Sequence, residues 1–268
     1  MQIDLSGKNV LLMGGGQTPG TTVGNGKASA LAYARAGAFV AVVDRDEASA
    51  RDTVDAIIQE GGQADVFLCD VADEQSVKQV VAAAHARMGT IDVLHNNVGI
   101  SLAGGDAIVT EATVDSFDRV TTVNLTGMVV TCREVLPIMV KQGGGVITSI
   151  GSLASVIDYP YIAYKTSKAG VVALMENIAI RWAGDGIRAN AILPGLMETP
   201  MAIENRVGLG GRTREEVIEE RNSHVPLRNK MGTGWDVAHA AVFLASEQAG
   251  FITGVSLKID GGQALRAG

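Results

Sequence analysis

The sequence predicts an α/β fold in which helices cover both faces of one parallel sheet of about seven strands. Two observations carry this prediction. Short apolar runs alternate with longer helical stretches along the 268 residues, which is the pattern of consecutive βαβ units. Hydrophobic residues make up 47% of the chain but aromatic residues only 4%, and aliphatic strands are typical of sheets buried on both faces. No linker or repeat divides the sequence, so we expect a single domain over residues 1–268.

The first βαβ unit is defined by a strand, a glycine-rich turn, a helix and a second strand. An apolar strand is predicted at 9–13, an alanine-rich helix at 27–36 and a second strand at 38–43, which ends on Asp44. This order is the layout of a dinucleotide-binding unit. A (β/α)₈ barrel has a similar rhythm. The glycine turn and the acidic residue instead favour the open, doubly wound sheet of the Rossmann type.

The glycines of this turn predict a phosphate site. Gly14, Gly16, Gly24 and Gly26 allow the backbone to approach a pyrophosphate at the positive end of the first helix. Asp44 stands 20 residues after Gly24, where a carboxylate can accept both ribose hydroxyls and repel a 2′-phosphate. The sequence therefore favours NAD over NADP.

The alternation continues to the last strand. Because ligands bind at the carboxyl ends of parallel strands, Asp70, Asn96, Ser152 and Pro194 should lie at one edge of the sheet with the glycine turn. The further predicted strands are 64–68, 91–95, 145–150, 187–193 and 256–259, and the further predicted helices include 47–59, 73–88, 113–140 and a helix that carries Tyr164 and ends near residue 182.

A candidate proton-transfer site follows the strand that ends before Ser152. Tyr164 and Lys168 are four residues apart, so they share one face of a helix. A phenol with a pKa near ~10 is a weak base at neutral pH, and a nearby cation favours its ionised form. Tyr161 and Lys165 have the same spacing, and spacing alone does not separate the two pairs.

Together these landmarks resemble the short-chain dehydrogenase/reductase family over nearly the whole chain. Tyr164-x-x-x-Lys168 continues into Ala-Gly as in the family, which Tyr161 does not. The other matching segments are Asn96-Asn97-Val98-Gly99, Asn124-Leu-Thr-Gly127, Ser152, and Pro194-Gly195-Leu-Met-Glu-Thr199.

The resemblance implies roles for these residues and a homotetramer. Tyr164 would be the general acid/base, Lys168 would lower its pKa and hold the nicotinamide ribose, and Ser152 would position the substrate oxygen. Asn124 would anchor a water chain from Lys168 to solvent. The residues implied to border the cofactor are Asp70, Val71, Asn97, Gly99, Pro194, Gly195 and Thr199, besides Tyr164 and Lys168.

The glycine turn departs from the family pattern. Nine residues separate Gly14 from Gly24, six more than the family's three, and Met13 replaces a threonine. We hypothesise that this insert extends the phosphate loop with Thr or backbone donors. The alternative is a surface excursion beside an ordinary site.

The resemblance implies that the region around 200–230 forms a lid over the substrate. The sequence of this region predicts a glycine hinge at 208–211 and a capped helix from Thr213. Arg206, Arg212 and Arg214 either meet an anionic substrate group or, as the favoured interpretation, pair with nearby glutamates. An apolar wall is predicted from Leu153, Ile157, Tyr159 and Met197.

Composition excludes other function classes. The net charge is −7 with a pI near 5.1, which opposes nucleic-acid binding. Cys69 and Cys132 have no CxxC spacing and predict buried free thiols, and the histidines predict no metal site. The N-terminus has no signal pattern and no apolar run reaches membrane-spanning length, so we expect a cytoplasmic protein.

These observations predict an NAD-dependent oxidoreductase that acts on a secondary alcohol or its ketone. Two alternatives stay open. One is an NADPH-dependent ketoreductase of the 3-oxoacyl-carrier type, which Asp44 opposes. The other is a non-catalytic dinucleotide-sensing protein, which would not need Tyr164.

Overall fold

A computed structural model describes residues 3–266 and contains one seven-stranded sheet. The strand order is β3-β2-β1-β4-β5-β6-β7, and every pair of neighbours is parallel. The order reverses between β1 and β4, so a crevice opens there at the carboxyl ends of the strands. The predicted doubly wound fold is confirmed. The strands are β1 (Asn9–Met13), β2 (Phe39–Asp44), β3 (Gln63–Leu68), β4 (Val93–Asn96), β5 (Gly145–Ile150), β6 (Ile187–Pro194) and β7 (Ser256–Ile259).

Helices bury both faces of the sheet. Because successive strand residues point to opposite faces, Val10 and Leu12 join one buried cluster while Leu11 and Met13 join another. Helices α1, α2 and α9 cover the first face, and α3, α5 and α6 cover the second. The helices are α1 (Asn25–Arg35), α2 (Glu47–Gln59), α3 (Glu74–Met88), α4 (Val114–Thr121), α5 (Gly127–Gln142), α6 (Ile162–Arg181), α7 (Pro200–Ile203), α8 (Arg214–Ser223) and α9 (Gly234–Ala245).

The helix predicted at 113–140 differs from the structure in its middle. It consists of α4 and α5 joined by a π-helical turn, Thr122–Thr126, which contains Asn124. Such turns widen the helix by one residue and are frequent at functional sites. The spacing of apolar residues does not reveal this turn.

The same continuous segment, Val114–Gln142, is long and apolar enough to meet a length-and-composition criterion for a membrane span. The expectation that no stretch reaches that length was therefore wrong. Half of its most apolar window is buried within the protein, and α5 packs against α3 and the sheet. The segment is accordingly a core helix of this fold.

The predicted lid region contains the short helix α7 and the longer helix α8. Thr213 and Glu216 form the capping box that starts α8, as predicted. The hinge glycines Gly208, Gly210 and Gly211 all have positive φ, a conformation that other residues rarely adopt.

Candidate active site

A cavity of about 570 Å³ runs along the carboxyl ends of the strands from β3 to β6. Every residue predicted to border the cofactor lines it. These residues are Gly14, Gly16, Gly24, Gly26, Asp44, Asp70, Val71, Asn97, Gly99, Tyr164, Lys168, Pro194, Gly195 and Thr199.

The start of α1 lies directly against the end of β1. A Cβ atom on Gly26 would lie 2.0 Å from the Gly14 carbonyl oxygen, so only glycine fits at this position. The Asn97 side chain donates a hydrogen bond of 2.8 Å to the same carbonyl oxygen. The N-terminus of α1 is thereby fixed at the crevice, where its dipole favours a phosphate group.

Asp44 is held rigidly at the end of β2. Its Oδ2 accepts a hydrogen bond from the Gly16 amide at 3.0 Å, and its Oδ1 accepts one from the Asp46 amide at 3.1 Å. A Cβ atom on Gly16 would lie 2.7 Å from the same Oδ2, so the close approach requires glycine. The geometry fits a carboxylate that faces the ribose of a dinucleotide.

The six-residue insert connects the glycine turn to the lid. Gln17 lines the cavity, and its Oε1 accepts a hydrogen bond of 3.0 Å from the Gly24 amide. Thr21 accepts a hydrogen bond of 2.8 Å from Arg214 of α8. Residues 18–21 of the insert are exposed, while Gln17 lines the cavity and Thr21 contacts α8, so both interpretations of the insert stay open. Its contact with phosphates stays a hypothesis.

The Ser152, Tyr164 and Lys168 side chains meet at the other end of the cavity. Ser152 follows β5, and its hydroxyl accepts a hydrogen bond of 3.1 Å from the Ala154 amide. The Lys168 Nζ lies 5.8 Å from the centre of the Tyr164 ring and donates to the Ile150 carbonyl oxygen at 2.8 Å. The helix α6 thus presents the two predicted side chains to one cavity.

Burial dominates the electrostatics of this pair. It raises the pKa of Tyr164 to about 12, and the hydrogen bond with Ser152 opposes that rise. Burial also lowers the pKa of Lys168 to about 8. Burial therefore raises the pKa of Tyr164 overall, and the effect of Lys168 on that pKa stays a prediction. Burial thus favours the neutral forms of both side chains.

Asn124 lies behind the cavity and holds one of its walls. Its Oδ1 accepts a hydrogen bond from the Ile100 amide at 2.7 Å, and its Nδ2 donates to the Ile100 carbonyl oxygen at 2.8 Å and to the Ser167 hydroxyl at 3.1 Å. Asn124 thereby ties the loop after Gly99 to α6. Its role in a water chain stays a prediction.

The second pair with the same spacing lies outside the cavity lining. The Lys165 Nζ donates hydrogen bonds to the carbonyl oxygens of Ala154, at 3.0 Å, and Ile157. Tyr161 packs its ring edge-on against Tyr159, with 5.6 Å between the ring centres. This pair supports the loop that follows Ser152.

Asp106 is a site residue that the sequence analysis missed. The carboxylate is 7% exposed and caps α6, since its Oδ1 accepts from the Ala163 amide and its Oδ2 from the Tyr164 amide, both at 3.0 Å. The Ser101 hydroxyl donates a further hydrogen bond of 3.2 Å to Oδ2. No local pattern connects an acid in one loop with a helix that starts 56 residues later.

The substrate end of the cavity combines the predicted apolar wall with arginines. Arg206 lines it, as does Arg221 of α8, which the sequence analysis did not single out. Gln263, beyond β7, also lines the cavity, and its Oε1 accepts a hydrogen bond of 3.1 Å from the Leu196 amide. The predicted wall residues Leu153, Ile157, Tyr159 and Met197 all line this end.

Two other kinds of side chain could form a site outside the cavity, namely the cysteines and possible metal ligands. Cys69 and Cys132 are buried free thiols, as predicted. Within residues 3–266, no group of three or more His, Cys, Asp or Glu side chains is arranged to hold a metal ion.

Known proteins resemble the chain over most of its length. The family model described as enoyl-(acyl carrier protein) reductase matches residues 20–264. The 2-(R)-hydroxypropyl-CoM dehydrogenase of Xanthobacter autotrophicus is 38% identical over 246 residues, which cover 90% of this chain and 95% of that protein.

Solved structures also resemble the chain over most of its length. A Burkholderia xenovorans protein described as a short-chain dehydrogenase/reductase superposes with a TM-score of 0.92 at 36% identity, covering 98% of this chain and 99% of that one. A 7α-hydroxysteroid dehydrogenase in complex with NADH and 7-oxoglycochenodeoxycholic acid superposes with a TM-score of 0.86 at 32% identity, covering 97% and 96% of the two chains. The chain belongs to the short-chain dehydrogenase/reductase family, whose members are oxidoreductases that bind a nicotinamide dinucleotide.

Proposed function

We propose that this protein is an NAD-dependent dehydrogenase or reductase that acts on a secondary alcohol or its ketone. The observation that carries this proposal is one cavity with Asp44 at one end and Ser152, Tyr164 and Lys168 at the other. The Asp44 carboxylate can accept hydrogen bonds from the ribose of a dinucleotide. The three side chains at the other end can bind a carbinol or carbonyl oxygen. Relatives named as a hydroxypropyl-CoM dehydrogenase and a 7α-hydroxysteroid dehydrogenase support this proposal.

The side chains divide the proton chemistry among them. A bound nicotinamide supplies or accepts the hydride. The Ser152 hydroxyl hydrogen-bonds the substrate oxygen and keeps it beside the phenol of Tyr164. That phenol donates its proton when a ketone is reduced and recovers it when an alcohol is oxidised. Lys168, whose pKa burial lowers to about 8, holds the nicotinamide ribose and exchanges protons with Tyr164.

Asp44 supports the choice of NAD. Its two carboxylate oxygens are already oriented by the amides of Gly16 and Asp46, so the side chain has little freedom to turn away from a 2′-phosphate. Repulsion between the carboxylate and that phosphate would then weaken NADP binding.

Replacing Tyr164 with phenylalanine tests the proposal. We expect turnover of NAD⁺ with secondary alcohols, followed by absorbance at 340 nm, to fall about 10²- to 10⁴-fold, because the side chain that takes up the proton of the alcohol is removed. NADH affinity, followed by fluorescence titration, should change little.

The matched control is Tyr161→Phe, which removes a phenol just before the same helix and outside the cavity lining, and which should keep most of the activity. If Tyr161→Phe were the inactive variant, or if Tyr164→Phe kept full turnover, the proposed role of Tyr164 would be wrong.

A further inference from the structure

Two arginines lie at the substrate end of the cavity, close to the proposed proton donor. Arg206 follows α7 and Arg221 lies on α8, and both line the cavity with Tyr159 and Tyr164. Burial is the main cause that lowers the pKa of Arg221, to about 10, and the neighbouring charge of Arg206 is the second. The same charge opposes the rise that burial causes in the pKa of Tyr164. The two guanidinium groups and the phenol are therefore close enough to interact electrostatically.

Two neighbouring arginines of the lid are neutralised by glutamates, as the sequence analysis favoured. Arg212 lies 2.6 Å from a carboxylate oxygen of Glu220, and Arg214 lies 3.2 Å from one of Glu204. The expected pairing is thus confirmed for these two residues. Both are ordinary ion pairs of the lid surface.

Arg206 and Arg221 differ from them. Within residues 3–266, neither forms an ion pair with a carboxylate. Arg206 Nη1 donates to the Ala202 carbonyl oxygen at 2.9 Å. The Arg221 side chain has no hydrogen-bond partner in this part of the chain, and its Nε atom is buried. Glu220, the acid next to Arg221, is engaged by Arg212. The sequence prediction of a glutamate partner was therefore wrong for Arg206.

Two like charges in a partly buried site destabilise each other unless an anion lies between them. The carboxylates that line the described cavity are Asp44, Asp46 and Asp70, and all three lie at the end formed by β2 and β3. The lining of the substrate end therefore contains arginines and no carboxylate, and Asp106 lies behind it with its oxygens bound to the first amides of α6. A guanidinium group matches a carboxylate or sulfonate in shape and donates two parallel hydrogen bonds to it.

We propose that Arg206 and Arg221 bind an anionic group of the substrate, while Ser152 and Tyr164 hold its carbinol or carbonyl oxygen. The substrate class is then a secondary hydroxy or keto compound that carries a carboxylate or sulfonate. This inference rests on the proposed function and narrows it to charged substrates.

The test compares acids with uncharged analogues of nearly equal shape. The probes are 3-hydroxybutanoate, 4-hydroxypentanoate and 5-hydroxyhexanoate with their primary amides, each assayed with NAD⁺ at 340 nm. We expect the protein to oxidise the best acid with a kcat/KM about tenfold or more above that of its amide. Arg221→Met and Arg206→Gln should each lower kcat/KM for the acid about 10- to 100-fold, mainly through KM, and change the value for the amide less than about threefold.

Arg228→Gln is the matched control, since Arg228 is an exposed arginine of the same 200–230 region that lies outside the cavity lining and forms no ion pair within residues 3–266. It should leave the preference for acid over amide unchanged. Equal use of acid and amide by the unmodified protein would overturn the proposal. An equal loss of both activities in Arg221→Met and Arg206→Gln would also overturn it, because it would show that the arginines only support the lid.

A protein that oxidises none of the probes would contradict the proposed function, and a second measurement then decides the anion site separately. The NADH complex is titrated with 4-oxopentanoate in a calorimeter, and 4-oxopentanamide is the reference. The anion site is supported if the unmodified protein binds the acid but not the amide, and if Arg221→Met no longer binds the acid. No difference between acid and amide refutes it.

Discussion

Replacing Asp106 with alanine should weaken both the fold and the site, because this carboxylate is the N-terminal cap of the helix that carries Tyr164. The substitution leaves the amides of Ala163 and Tyr164 without their acceptor. A buried donor without a partner costs about 1–3 kcal/mol, and loss of a helix cap costs about 0.5–2 kcal/mol. Since water can enter the space that the side chain leaves, we expect a loss of about 2–4 kcal/mol in the free energy of unfolding.

Urea unfolding followed by circular dichroism measures this loss, and kcat is measured on the same preparations under conditions where the variant is folded. Asp106→Asn retains one carbonyl oxygen and should lose about half as much stability. Both variants should also lower kcat by a larger factor than they change KM, because a displaced Tyr164 is no longer correctly positioned beside the substrate oxygen.

Asp73→Ala is the matched control. Asp73 caps α3 by accepting a hydrogen bond of 2.9 Å from the Gln75 amide, at an exposed position. Its removal should cost about 1 kcal/mol and leave kcat unchanged. If Asp106→Ala were no more destabilising than this control and kept full turnover, the capping argument would be refuted.

Two further predictions concern cofactor choice and stability at low pH. Asp44→Ser should reduce the preference for NADH over NADPH about tenfold or more in fluorescence titrations, because the repelling carboxylate is gone; an unchanged ratio would contradict the role given to Asp44. Burial lowers the pKa of His95 to about 3, below its unfolded value of ~6.5. The unfolded chain therefore binds more protons between these values, and stability should fall by up to about 1.4 kcal/mol per unit as the pH drops from 6.5 towards 3. Urea unfolding at pH 7 and pH 5 should show a smaller difference for His95→Asn, and an equal difference would show that other groups set the acid sensitivity.

The fold was predictable because its signals are local. Each strand is a short aliphatic run, and the turn from Gly14 to Gly26 combines with Asp44 in an order that few other folds share. The edge of the sheet at which the cavity lies then follows from the rule that ligands bind at the carboxyl ends of parallel strands. The same logic placed Ser152, Tyr164 and Lys168 together.

The remaining features depend on contacts between distant segments. Asp106 caps a helix in another part of the chain, and Arg221 resembles any charged residue of a surface helix until α8 is packed over the cavity. The pKa of Lys168 depends on how completely its ammonium is removed from water, which the spacing to Tyr164 does not report. Burial is a property of the folded chain, and it decides the electrostatics here.

The position of Gln263 near the end of the sequence determines when the last part of the cavity wall is synthesised. During synthesis the residues of the glycine turn, Ser152, Tyr164 and Lys168 emerge well before this glutamine, whose side chain holds the Leu196 amide at the cavity wall. The strand before it, β7, completes the sheet by pairing with β6. The segment that completes the substrate half of the cavity is therefore synthesised after all the residues of the dinucleotide half.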